Sequence, residues 1–319
     1  MRPSFKLVGL ASLLLGANVE SLKIATSLQW IEYTPQAYAI KNFYKGDSPA
    51  TLQSGGVMTL ASSPKSVDLA ANAETQGLKQ FANHRDLRLI YVIVEVGYRI
   101  VANKASGITT LADLKGKRIG TMPGTSAGYF ISKFLNSAGV KDGEYTVVSG
   151  NVCMKAPCGA GTFPQMIANN RIDAFGIWEP AVELGAELLK DNAVIFKNAS
   201  IYREVYSLYS TEDKLKDPAM RKNIVAFVKA LNQASDVYNN KPETVYQSVA
   251  SAVGMDAAVV AAVWKDHKWS GPTGIPKDLL EFLVEEDQYL ARTDRRQAVP
   301  KEALAKFIDE SVLAEALKS

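Results

Sequence analysis

The chain has 319 residues, 47% of them hydrophobic and 22% charged, which is enough for two compact lobes with a core each and has none of the bias of a disordered chain. Its 36 Lys and Arg against 33 Asp and Glu leave a net charge of +3, with the basic residues scattered, which argues against nucleic acid as a partner. An anionic small ligand would need local donors, not a global field.

Arg2 and Lys6 precede an apolar run at 7–17, and small residues follow, the pattern of a secretory leader cut after Ser21 or Ala17. The run is shorter than the ~20 residues that span a bilayer, and no cysteine lies near the cut. The reading is a leader at 1–21 and an exported mature chain, periplasmic or extracellular, monomeric and not embedded in a membrane.

Residues 22–27 read as a strand, followed by a loop at 28–34 carrying Gln29, Trp30, Glu32 and Tyr33. Ala37, Ile40 and Tyr44 share one face of a helix over 35–44. Residues 57–61 read as a strand ending at Ser62 and Ser63, 67–70 as another, and 74–83 as a helix. Residues 87–95 and 98–103 are β-rich, and the first lobe is expected to close near Lys104. LADLKGKR (111–118) makes a short helix stopped by Gly116, 117–122 a strand, and PGTSAG opens a helix through Phe130, Phe134 and Leu135. After a strand at 146–149 and the loop CMKAPC, RIDAFGIWEP gives a buried strand at 174–177 that delivers Trp178 and Glu179. Strands alternating with helices define an α/β chain with largely parallel sheets.

REVYSLYS (203–210) is a strand that carries the chain back. Beyond it, Ile224, Phe227, Val228 and Leu231, then Leu279, Leu280, Leu283 and Val284, then Leu304, Phe307, Ile308 and Val312, keep helical spacing with no strand among them. Such a tail has to pack on the first lobe. The expected organisation is lobe 1 at 22–104 and 205–319, lobe 2 at 105–204, and a two-crossover hinge near 103–107 and 200–210.

Thr125 and Ser126 stand where a helix begins, so free N–H groups and the helix dipole favour an anion there; as plain N-caps they would add ~1 kcal/mol of stability. Gly124, Ala127 and Gly128 clear that helix start for a ligand. Trp178 and Glu179 lie at the carboxyl end of a strand, where α/β sheets bind ligands. A carboxylate there is costly without a partner, although Trp178 also suits a core. The 28–34 loop follows another such end, and Trp30 and Tyr33 serve equally well as packing between lobes. Ser62, Ser63, Asn72 and Glu74 follow further strands of that lobe. Cys153 and Cys158, the two cysteines of an exported chain, read as a disulfide, with unrelated thiols the alternative and a metal site disfavoured. Asn198-Ala199-Ser200 is a sequon that matters in a eukaryotic source. His84 and His267 sit in polar stretches that read as exposed. With no nucleophile–base pair, phosphate loop or metal cluster in view, the chain reads as a binder with no catalytic residue, metal or cofactor.

DLRLIYVIVEVGYRIVANKASGITTLADLKGKRIG (86–120), GTSAGYF (124–130) and RIDAFGIWEP (171–180) together resemble the type II periplasmic solute-binding proteins of ABC importers, in the branch for sulfonates, taurine, nitrate and pyrimidine precursors. Thiamine-pyrimidine synthases share that superfamily. The resemblance implies the type II periplasmic-binding-protein fold, a small polar ligand and an ABC permease as partner. It also implies that the segment at Thr125 and Ser126 meets the ligand's anionic end and that the WEP segment lies at the cleft. The synthases' cysteine-rich CCCFC-type motif has no counterpart here, since residues 200–210 contain no cysteine.

Overall fold

The computed structural model describes residues 21–318, so the expected leader, Ser21 apart, lies outside the described residues. The chain begins with β1 (Leu22–Thr26), α1 (Thr34–Asn42), β2 (Ala50–Ser54), α2 (Val57–Ser62), β3 (Leu69–Ala73), α3 (Glu74–Phe81) and β4 (Leu87–Val96). It crosses into β5 (Arg99–Asn103), β6 (Arg118–Gly120), α4 (Ser126–Ser137), β7 (Thr146–Val148), α5 (Phe163–Ala168), β8 (Ala174–Phe175), α6 (Ala181–Leu189) and β9 (Ala193–Lys197). It returns through β10 (Glu204–Thr211) to α7 (Glu212–Lys216), α8 (Pro218–Asn240), α9 (Tyr246–Val253), α10 (Ala257–Val263), β11 (His267–Trp269), α11 (Leu279–Thr293), α12 (Lys301–Phe307) and α13 (Ser311–Lys318).

The strands form two mixed sheets, ordered β11-β4-β10-β3-β1-β2 and β7-β6-β8-β5-β9. In the first, β1 pairs in parallel with β2 and β3, whereas β10 runs antiparallel between β3 and β4. The almost continuous apolar run of β4 is buried nearly throughout, as a central strand covered on both faces must be. On α8, Ile224, Phe227, Val228 and Leu231 are buried, and that face packs on α1 and α13. The Asp217 carboxylate caps α8 by accepting from the Met220 N–H, and Pro218 sits at its first turn.

Four expectations need correction, the first being that the sheets are largely parallel: β5, β10 and β11 run antiparallel to their neighbours. Residues 57–61 are helical: Val57 and Leu60, three apart, are buried, whereas Met58 is 62% exposed. The strand beside β1 is ATLQS, in which only Ala50 and Leu52 are apolar and partly buried, an alternation too short to stand out. Arg99–Asn103 pairs with β8 and β9, so the first crossover falls at residues 97–98, ahead of the expected 103–107. The tail does contribute a strand, β11, which extends the first sheet beyond β4.

The return crossover at 198–203 runs beside the first. Tyr98 from one and Tyr202 from the other pack edge to face with centroids 5.4 Å apart, and both touch Phe130 of α4. Cys153 and Cys158 form a disulfide with Cα atoms 5.6 Å apart, packed against Leu184 of α6 and Val259 of α10. Exposed Asn198 stands in the return crossover, its side-chain oxygen accepting from the Ser200 N–H and hydroxyl.

Gly128 has a use other than ligand access. A Cβ there would lie 2.7 Å from the Met122 carbonyl oxygen and 3.0 Å from the Pro123 Cα, so its bareness lets α4 settle onto its own entry turn. Gly128→Ala should cost about 1–3 kcal/mol, the usual range for overpacking. Gly159→Ala, with nothing within 4 Å of the added carbon, should cost under about 0.5 kcal/mol. Urea unfolding of both variants checks this; equal losses would contradict it.

Candidate functional site

The carboxyl ends of β1, β3 and β8, the starts of α3 and α4 and the first residues of β10 converge on one cavity of about 200 Å³. Lobe 1 contributes Ser27, Trp30, Glu32, Asn72, Thr75 and Gln76. Lobe 2 contributes Thr125, Ser126 and Trp178, and the returning strand contributes Glu204 and Tyr206. At ~30 Å³ per water the space holds about seven water molecules, the scale of a small metabolite.

Of the main candidates, Trp30, Glu32, Thr125, Ser126 and Trp178 meet here, joined by Asn72 at the end of β3. Trp30 and Trp178 come from opposite lobes, and their ring centroids are 5.3 Å apart at 57°. The other five do not line the cavity. Gln29 is exposed on its loop, and Tyr33 is buried with its hydroxyl donating to the Ala252 carbonyl. Ser62 and Ser63 are exposed at the end of α2, because the segment is a helix that turns them outward. Glu179 is buried beside the cavity and held by Arg99, whose Nε donates to it at 2.8 Å. Burial raises the Glu179 pKa while the Arg99 charge and hydrogen bond work against it.

The hydroxyls at the helix start of α4 are already engaged by the protein. The Thr125 hydroxyl donates back to the Met122 carbonyl at 2.7 Å. Ser126 Oγ accepts from Trp178 Nε1 at 3.0 Å and shares a 3.0 Å hydrogen bond with the Tyr98 hydroxyl. Glu204 lies against these same hydroxyls. Burial raises the Glu204 pKa well above the carboxylate range, and the neighbouring Glu32 charge adds to it. Burial likewise lifts Glu32 to about 7.

Sequence reasoning missed Glu204 and Tyr206 as site residues. The signal existed for Glu204, an acidic residue heading an apolar strand, which is the same costly-carboxylate argument made for Glu179. His267 is a further correction. It is 6% exposed, its Nδ1 sits 3.1 Å from the Val263 carbonyl, and burial lowers its pKa to about 4. Alternate residues of β11 face the core, which the polar stretch around it concealed.

Behind the cavity, Glu74 accepts from the Tyr202 hydroxyl and the Val205 N–H, both at 2.7 Å. Fully buried Glu286 faces Glu74 with no donor to either of its oxygens, so the two join only when one carries a proton. A larger hollow of about 950 Å³ lies at the β11 edge beside both crossovers. Its cations are largely committed: Lys197 to Asp266, Lys268 to Glu95, and Arg203 to Glu95 and Asp278. The smaller cavity is the stronger candidate because strand ends and helix starts of both lobes converge on it, with an aromatic ring from each.

Two α/β lobes, two adjacent crossovers and a cavity at the facing strand ends define a protein of the periplasmic-binding-protein fold. The periplasmic aliphatic sulphonate binding protein SsuA of Escherichia coli superimposes with a TM-score of 0.70 at 16% identity, over 92% of this chain and 99% of that one. The chain belongs to the NMT1/THI5-like family, whose profile matches residues 53–245. A Brucella abortus relative named as a binding protein is 25% identical over 185 residues, 56% of this chain and 54% of its own, so the chain spans about half the length of that relative. The desulfurization enzyme DSZB shares the fold as well, with a TM-score of 0.61 at 15% identity over 93% of this chain and 99% of its own.

The buried carboxyls set a pH dependence of stability. Burial raises Glu74 to about 7 and Glu286 well above the usual range. Because these folded-state values exceed the unfolded one of about 4.3, their contribution is complete below that pH. It is lost as pH rises through about 7 for Glu74 and higher for Glu286. Thermal melts should show a lower Tm at pH 8.5 than at 5.5. Glu286→Gln, which imitates the protonated acid, should flatten the difference and raise Tm at pH 8.5 by roughly 2–6 °C. An unchanged slope in the variant would contradict this assignment.

Proposed function

We propose that the mature chain is an exported solute-binding protein that closes its lobes over a small polar metabolite, an organic anion or zwitterion or a pyrimidine precursor, and hands it to an ABC permease. The observation that carries this reading is the cavity between the lobes, with Trp30 from one lobe and Trp178 from the other meeting over it. Two crossovers side by side suit a hinge, since bending two short segments moves a whole lobe. The E. coli fold neighbour that binds sulphonates supports the role. Among the described residues no single helix is long and apolar enough to cross a membrane, which fits a chain that acts outside a bilayer.

Native mass spectrometry of protein purified without denaturant should detect a retained small molecule. Calorimetry with that solute should then show affinity falling about tenfold in each of Trp30→Ala and Trp178→Ala, as expected when ~1.4 kcal/mol of ring contact is removed. Unchanged affinity in both, with the fold intact, would remove the cavity from consideration. Turnover of the solute by the purified chain would favour an enzyme related in fold to DSZB.

A further inference from the structure

We propose that the cavity selects a solute bearing a positively charged nitrogen, held against the Glu32 and Glu204 carboxyls and beside the contacting rings of Trp30 and Trp178, and discriminates against simple anions. This rests on the reading of that cavity as the solute site, and it narrows the ligand class.

Charge is the first argument. The cavity wall includes two carboxyls, Glu32 at 6% and Glu204 at 3% exposure, and no Lys, Arg or His. The nearby guanidinium, Arg99, is taken up by Glu179, Glu183 and Asp266. Lys79, close to Gly124 at the entry to α4, is paired with Asp294. A sulfonate or nitrate entering this space would meet two acidic side chains and no side-chain cation to offset its charge.

The second argument is an unmet hydrogen bond. One oxygen of Glu204, Oε2, is buried without a partner. A buried carboxyl left short of a donor is unfavourable, and an ammonium, amidinium or guanidinium N–H supplies what is missing. The third argument concerns the start of α4, the place where a ligand anion would otherwise be expected. Its Ser126 hydroxyl is spent on Tyr98 and Trp178, and Glu204 lies against that same Ser126 and Tyr98. The protein's own carboxyl thus stands where the helix end would attract an anion. The two tryptophan rings complete the site, because indole is the best natural face for a cation.

The test is a matched panel read by tryptophan fluorescence and thermal shift at fixed ionic strength, on protein freed of any bound solute. The cations are guanidinium and tetramethylammonium, the anions methanesulfonate and nitrate. Taurine against isethionate exchanges an ammonium for a hydroxyl on one sulfonate. Guanidinium or tetramethylammonium should bind at millimolar concentration, taurine should bind at least tenfold more tightly than isethionate, and methanesulfonate and nitrate should leave both signals unchanged. Glu204→Gln and Glu32→Gln should each weaken the cation response at least tenfold. Saturable binding of methanesulfonate or nitrate, or cation binding untouched in both variants, would overturn the charge assignment while leaving a solute-binding role standing. Silence from every cation would overturn it too, and absence of any co-purified solute would then count separately against the solute-binding role.

Discussion

A fully buried carboxyl, Glu74, holds the two halves of the site in register. It sits at the start of α3 and accepts from the Tyr202 hydroxyl and the Val205 N–H, both in the returning chain. A carboxyl at zero exposure is unfavourable unless its hydrogen bonds are met, so the return crossover is confined to the one place where both donors reach it. That constraint sets Glu204 and Tyr206, the residues on either side of Val205, at the cavity wall. Arg99 does the matching service for the outgoing crossover. Burial opposes its charge, but the Glu179 and Glu183 carboxylates more than offset this and hold its pKa above the ordinary value.

The two crossovers run side by side, and Glu204 just after the second lines the cavity. Tyr98 and Tyr202 pack against each other where the chain passes between lobes, and both lie close to the residues that face the cavity. Trp30 and Trp178, one per lobe, meet over the cavity whose wall includes the Glu32 and Glu204 carboxyls. The disulfide loop packs against α6 and α10.

Much of this was legible in the sequence, and the losses have physical causes. The GTSAGYF and GIWEP turns identified Thr125, Ser126 and Trp178, because a strand that stops before a helix start or an aromatic leaves an open strand end. Trp30 and Glu32 followed from the same logic at the end of β1. Ser62 and Ser63 were misplaced because VMTLAS is apolar enough to read as a strand, while the true partner of β1, ATLQS, is too polar to stand out. The lobe boundary slipped because Arg99–Asn103 and Leu87–Val96 are both apolar strands, and only pairing tells which sheet owns which. Glu179 was read correctly as a costly carboxylate, but its partner is Arg99, eighty residues earlier in the chain, not a ligand. Long-range pairing is the information that a linear pattern lacks.

The most direct test of the account is a crystal structure of the protein with its co-purified solute in place. The account predicts solute in the cavity lined by Trp30 and Trp178, with a donor nitrogen at hydrogen-bonding distance from the Glu204 carboxyl. Solute seated instead in the larger hollow at the β11 edge, among Lys265, Lys277 and their neighbours, would contradict it.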